Sequence, residues 1–169
     1  MDNSDLRTRL AELHPQSFGW ALNCCEGDPV LAEDVLQIAC VKVLSGKAKY
    51  KEEGSTFKTW FFGVIRNTAK EERRRIFLRR IKLIDFELPA AQTSRNPDSE
   101  LEQSETAQRI RDHLGRLSQR QREVLHLVFY QEMTVEDAAK TMGVSVGSAR
   151  THYARGKARL RKLLDGDDE

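Results

Sequence analysis

Cysteine and proline are scarce in this chain of 169 residues, which has three of the first and four of the second. Cys24 and Cys25 are adjacent, Cys40 stands alone, and no Cys-x-x-Cys motif or histidine pair lies near them. Zinc sites in proteins usually need ligands at such spacings. The sequence therefore predicts no metal site and no cofactor, and it favours reduced, mostly buried thiols.

Long apolar runs are also lacking. The longest is Trp60–Ile65, whereas a helix that spans a bilayer needs about 20 apolar residues. Asp2 and Asp5 stand where a signal peptide would carry positive charge. We therefore expect a cytoplasmic protein with no membrane insertion. No segment has the alternation typical of a strand, so the predicted fold class is all-α.

The formal net charge is only +2, but the charge is divided into blocks. Residues 46–82 have a net charge of +8, residues 83–105 of −5 and residues 106–164 of +7. Because the local field attracts phosphate more than the net charge does, two basic blocks indicate a nucleic-acid partner.

Helical periodicity dominates the first half of the chain. We predict a helix over residues 3–14, a following helix from about residue 18, and a third over about 29–44. A polar, basic loop, Gly46–Gly54, precedes a strong helix that begins near Ser55. The aromatic residues of that last helix follow the spacing of a buried face, so we expect them in a core.

The middle of the chain has the composition of a linker. Residues 83–104 combine prolines, serines and acidic side chains with few large apolar residues. We therefore predict two small helical domains, at 1–82 and 105–164, joined by an acidic flexible linker and followed by an acidic tail at 165–169.

Residues 134–162 have the pattern of a helix-turn-helix. Thr134 with Asp137 resembles a capping box, Gly143 suits a left-handed turn, and Ser145 is a good N-cap for the second helix. That second helix has no acidic residue up to position 162. This is the layout of a helix that enters a DNA major groove.

Four segments together resemble the extracytoplasmic-function sigma factors, a branch of the sigma-70 family. The resemblance covers roughly residues 17–163. The segments, in the family's order, are Ala32–Gln37, then Phe57-x-x-Trp60 with Ile65–Lys70, then Leu117–Leu125, and finally Val144–Arg150. Ala149 departs from the family, which usually has an aliphatic residue in the recognition helix.

The resemblance implies a sigma factor that directs core RNA polymerase to promoters. It would start transcription by recognising the −35 duplex and opening the −10 strand, without acting as an enzyme. The implied partners are core polymerase, promoter DNA and an anti-sigma factor. The residues implied in core polymerase binding are Glu33, Asp34 and Gln37.

The same resemblance assigns two sets of DNA-binding residues. Those for the −10 element are Lys49, Lys51, Lys58, Arg66, Asn67, Lys70, Arg73 and Arg74. Those for the −35 element are Ser148, Arg150, Thr151, His152, Arg155, Lys157 and Arg159.

Two other functions stay open at this point. One is a conventional helix-turn-helix regulator with an all-helical interaction or sensory domain, because Gln121–Leu125 also resembles the output domains of such proteins. The other is a nucleic-acid enzyme. Glu71 and Glu72 are its only candidate pair of carboxylates, and neighbours on a helix point in different directions.

Overall fold

A computed structural model describes residues 2–84 and 105–166. Within these ranges the regular structure is entirely helical, which confirms the predicted all-α class. The predicted linker lies outside the described residues except for its first two positions, and so do the last three residues of the acidic tail. The chain divides into two compact units. The helices are α1 (Asn3–Cys24), α2 (Pro29–Leu44) and α3 (Phe57–Ile84) in the first unit, and α4 (Glu105–Gly115), α5 (Gln119–Leu125), α6 (Val135–Met142) and α7 (Val146–Asp165) in the second.

The first unit packs α1, α2 and α3 against one another around aromatic side chains. Trp20 of α1 and Phe61, Phe62 and Ile65 of α3 are almost wholly buried. Burial of Phe61 and Ile65 agrees with the core face expected for α3. The indole Nε1–H of Trp20 donates to the Phe62 carbonyl at 2.9 Å, so this buried polar group is satisfied. Trp60, the other tryptophan, lies in the same unit and is only partly buried.

The division of residues 3–24 into two helices is wrong, because α1 is continuous and contains Pro15. An internal proline removes a backbone donor and costs about 3 kcal/mol. Leu10, Trp20 and Cys24 are buried on both sides of this position. We infer that burial along the whole helix outweighs the local cost of the proline.

The next two helices begin at or close to the predicted positions, and α2 has an N-cap that was not predicted. Asp28 caps α2, where its carboxylate accepts from the amides of Val30 and Leu31, each at 3.0 Å. The strong helix predicted near Ser55 begins two residues later, at Phe57, and runs to Ile84.

The helix-turn-helix is formed by α6 and α7. Gly143 ends α6 in the left-handed conformation with φ of 64°, and the Ser145 side chain caps α7 by accepting from the Ser148 amide. Ala138 and Ala149 are fully buried, which allows the two helices to cross closely. These observations confirm the predicted hairpin and its turn.

A π-helical turn, His126–Tyr130, extends α5 and was not predicted. It ends near Glu132, which has a positive φ of 55°. Non-glycine residues seldom adopt this conformation. The turn leaves Phe129 and Tyr130 exposed on the surface of the second unit.

Candidate nucleic-acid interface

One face of α2 is acidic and exposed. Glu33, Asp34 and Gln37 all lie on the surface, and the Gln37 amide donates to the Glu33 carboxylate at 3.2 Å. Val30 and Val41 are exposed beside them, at 72% and 61%. The three residues predicted to bind polymerase therefore share a surface that is both acidic and apolar.

The loop between α2 and α3 is held by Tyr50, a residue that the sequence did not single out. Its ring contacts Phe57 and Trp60 at centroid distances of 5.3 Å each. Its hydroxyl donates to the Ser55 carbonyl at 2.8 Å. Lys49 and Lys51 flank Tyr50 and are exposed, so the loop presents cations from a fixed aromatic support.

Three predicted −10 residues form one exposed face of α3. Asn67, Lys70 and Arg74 follow at spacings of three and four, which places them on the same side of the helix. The Asn67 amide makes no hydrogen bond within the part of the chain that the structure describes. It is therefore available to pair with an external polar group.

Other members of the predicted −10 set lie in different surroundings. Arg66 belongs to the set assigned to the −10 element but is 3% exposed, because it lies one turn from the buried residues Phe62 and Ala69. Arg73 binds the end of α1, with Nη2 at 2.7 Å from the Glu26 carboxylate and Nη1 at 3.4 Å from the Cys24 carbonyl. Lys58 is half-buried over the Phe62 ring.

The predicted −35 residues divide between two sides of α7. Ser148, Thr151 and Arg155 share one side by their spacing, whereas Arg150 and Lys157, seven residues apart, share another. All five are exposed. The helix thus offers two rows of polar contacts instead of one.

Several of these side chains already have intramolecular contacts. The Lys157 ammonium lies 4.1 Å from the centre of the Tyr153 ring, and Arg159 Nε donates to the Arg116 carbonyl at 3.2 Å. Arg150 Nη2 is 2.7 Å from the carboxylate of Glu136 on α6. Glu136 was not identified from the sequence, because an ion pair across 14 residues leaves no local pattern.

Burial and hydrogen bonding shift the pKa values of particular groups among the described residues. The hydrogen bond from Arg150 lowers the pKa of the Glu136 carboxyl. Burial raises the pKa of the Cys25 thiol to about 11, which leaves it a poor nucleophile at neutral pH. Burial also lowers the pKa of His126 to about 4, so its imidazole is neutral in the fold.

Neither a metal centre nor a membrane span is found where the structure is described. No group of three histidine, cysteine or acidic side chains in residues 2–84 and 105–166 could hold a metal ion. No helix of the same residues is long and apolar enough to cross a bilayer.

Comparisons with known proteins match both units. Residues 10–76 match the model of sigma-70 region 2, and residues 107–160 match that of sigma-70 region 4. The RNA polymerase sigma-E factor of Streptomyces coelicolor is 30% identical over 142 residues, which cover 83% of this chain and 76% of that protein. The ECF RNA polymerase sigma factor EcfG of Rhodopseudomonas palustris is 28% identical over 166 residues, 97% of this chain and 88% of that protein.

The fold also has a solved counterpart. The sigma factor RpoE of Bartonella quintana, crystallised in complex with the anti-sigma factor NepR, superposes with a TM-score of 0.72. The match covers 95% of this chain and 97% of that one at 24% identity.

Two helical units, one of them a helix-turn-helix with a basic second helix, define a DNA-binding transcription protein. The chain belongs to the sigma-70 family and, within it, to the extracytoplasmic-function branch. It is an RNA polymerase sigma factor. The alternative of a conventional helix-turn-helix regulator is not favoured, because the first unit also matches a sigma region.

Proposed function

We propose that this sigma factor works through three separate surfaces and performs no catalysis itself. Glu33, Asp34 and Gln37 on α2 dock the first unit on core polymerase. Support comes from their shared exposure and from the apolar Val30 and Val41 beside them. An acidic surface of this kind is complementary to a basic partner, and the adjacent apolar area adds contact free energy.

The second surface holds the opened −10 strand. Asn67 and the 46–55 loop receive one unstacked base, while Lys49, Lys51, Lys70 and Arg74 hold the backbone. Support comes from the exposed, unengaged amide of Asn67 and from the fixed loop. Base edges are read by such amides, and single strands are held by nearby cations. Arg66 is buried and supports this surface from within the helix packing. Arg73 supports it through its contacts with Cys24 and Glu26 at the end of α1.

The third surface reads the −35 duplex with α7. Arg150, Thr151 and Arg155 reach base edges from the first half of the helix, because a recognition helix enters the groove with its N-terminal turns. Ser148 and His152 lie in the same half. Lys157 and Arg159 bind phosphate and set the register.

We further propose the boundaries of the two domains, the compartment in which the protein acts and the kind of protein that controls it. Region 2 occupies residues 1–82 and region 4 residues 105–164, with the acidic segment 83–104 between them. The protein acts in the cytoplasm, where its polymerase is, and an anti-sigma factor controls it. The solved relative, whose structure includes an anti-sigma factor, supports this last proposal.

The observation that carries this proposal is α7, the second helix of the helix-turn-helix, which Ser145 caps and which presents exposed cations. The test is run-off transcription with purified core polymerase, the full chain and a promoter library. We expect transcripts only with the sigma factor present, from promoters that share a −35 and a −10 element. DNA binding by the chain without any polymerase-dependent transcript would contradict the proposal.

A further inference from the structure

An ion pair joins the two helices of the helix-turn-helix. Arg150 Nη2 lies 2.7 Å from Glu136 Oε1, and the two side chains are 66% and 50% exposed. Arg150 is the fifth residue of α7 and Glu136 the second of α6. The pair therefore lies at the N-terminal part of the recognition helix, where base edges are reached.

The backbone of Glu136 is held at the start of a capped helix. It lies in the first turn of α6, which Thr134 caps by accepting from the Asp137 amide at 3.1 Å. A carboxylate is stabilised at this end of a helix by the helix dipole. The crossing of α6 with α7 is set by the buried Ala138 and Ala149, so the backbones of Glu136 and Arg150 are held within reach of each other's side chains.

Arg150 keeps most of its donors for DNA. The ion pair uses one of the five N–H groups of the guanidinium, through Nη2, and Arg150 has no other hydrogen bond to the described residues. A guanine edge takes two N–H groups from one side of the fork. A free arginine side chain would lose much rotamer entropy on forming that contact, and an anchored one loses less.

We propose that Glu136 is a positioning residue that holds the Arg150 guanidinium for base recognition at the −35 element. This inference rests on the proposed role of Arg150. Glu136 does not itself contact the base. The base pair read by Arg150 is then recognised less well when Glu136 loses its charge, although Arg150 is still present.

Glu136 has an opposite role if it competes with DNA for Arg150, and the sign of the change in base discrimination distinguishes the two roles. If the carboxylate competes with guanine for the guanidinium, removing its charge would sharpen discrimination. If the pair is only a surface ion pair, removing it would change the affinity for all promoter sequences equally, since a negative charge near DNA is lost.

The experiment uses holoenzyme assembled from core polymerase and the full chain, in competition binding against promoters with single-base changes in the −35 element. The variants are Glu136→Gln, Arg150→Ala, the double variant, and Glu132→Gln as a matched control. Glu132 is an exposed acidic residue of the same unit, so its substitution makes the same change of charge. Thermal unfolding of each variant checks that the fold is intact.

Four results are expected together, one for each variant. Arg150→Ala relaxes preference at one base pair. Glu136→Gln relaxes preference at that same pair by about two- to fivefold, the range of an exposed ion pair, while Glu132→Gln leaves the preference profile unchanged. In the Arg150→Ala background, Glu136→Gln has no further effect on the profile.

The results distinguish failure of the positioning role of Glu136 from failure of base reading by Arg150. If Arg150→Ala relaxes one pair but Glu136→Gln sharpens it or matches Glu132→Gln, the positioning role is overturned and base reading by Arg150 stands. If Arg150→Ala leaves every preference unchanged, the proposed reading by Arg150 fails, and the positioning role fails with it.

Discussion

At the scale of single residues, Arg150 and Lys157 share one side of α7 but have different expected roles, because they lie about two turns apart along the helix. Arg150→Ala should relax preference at one −35 base pair, because a bidentate arginine–guanine contact is worth about 1–3 kcal/mol of discrimination. Lys157→Ala should weaken all sequences about equally and reduce the slope of log affinity against log salt by about one. Competition binding of holoenzyme at two salt concentrations measures both. A uniform loss in both variants would make Arg150 a phosphate contact.

Asn67 is the residue on which strand opening is expected to depend. Asn67→Ala should reduce the permanganate reactivity of thymines in the −10 element, because an opened base loses its partner amide. Binding of the closed duplex should be nearly unchanged, since the cations of the loop and of α3 remain. Duplex binding in the cold is therefore the control. An equally reactive bubble in variant and parent would remove Asn67 from the site.

The shared face of several polar residues on α3 could be predicted from the sequence, but the burial and contacts of the individual side chains could not. Helical spacing placed Asn67, Lys70 and Arg74 together, and the structure has them exposed on one face. The same spacing gave no warning that Arg66 is buried or that Arg73 binds the end of α1. Both depend on where α1 and α2 lie against α3, which is a tertiary property.

At the scale of the helices, the crossing of α5 with α7 depends on Gly156. A Cβ atom at this position would lie 3.2 Å from Leu125 Cδ1 and 3.3 Å from Gln121 Cβ. The second atom is attached directly to the backbone of α5 and cannot rotate away. Gly156→Ala should therefore destabilise the second unit by about 1–3 kcal/mol through overpacking, despite the better helix propensity of alanine.

Gly147→Ala is the matched control for that prediction. It lies in the same helix, where an added Cβ meets only Ser145 Oγ, at 4.0 Å. We expect a neutral effect or a gain of up to about 1 kcal/mol. Chemical denaturation followed by far-ultraviolet circular dichroism measures both variants. Stabilisation by Gly156→Ala would show that α5 and α7 can move apart without cost.

The ends of helices were predicted well where a capping residue or a turn glycine marks them. Gly143 and Ser145 mark ends of helices through a left-handed turn and an N-cap, and each is found at such an end. Pro15 and the π-helical turn were missed. The first is tolerated because burial continues along α1, and the second is a shift of hydrogen bonding that no residue pattern announces.

At the scale of the whole molecule, docking on polymerase should depend on the acidic face of α2. Asp34→Arg places a cation against a basic partner, and we expect core affinity to fall by about 2–5 kcal/mol. Asp34 is exposed, so folding should be unaffected. A pull-down with core polymerase and a circular dichroism spectrum measure the two effects.

Glu12→Arg supplies the control for docking. Glu12 is an exposed acidic residue of α1, so the substitution makes the same change of charge away from α2. We expect it to retain core binding. If Asp34→Arg and Glu12→Arg bind alike and both spectra are normal, the docking surface lies elsewhere on the chain.

Both tryptophans of the chain, Trp20 and Trp60, belong to the first unit. Selectively excited intrinsic fluorescence is therefore a reporter of that unit alone, while the second unit contributes to far-ultraviolet circular dichroism without any indole emission. The native protein thus carries its own spectroscopic label. Unfolding curves from the two signals, recorded on one unmodified sample, would coincide only if the units melt together.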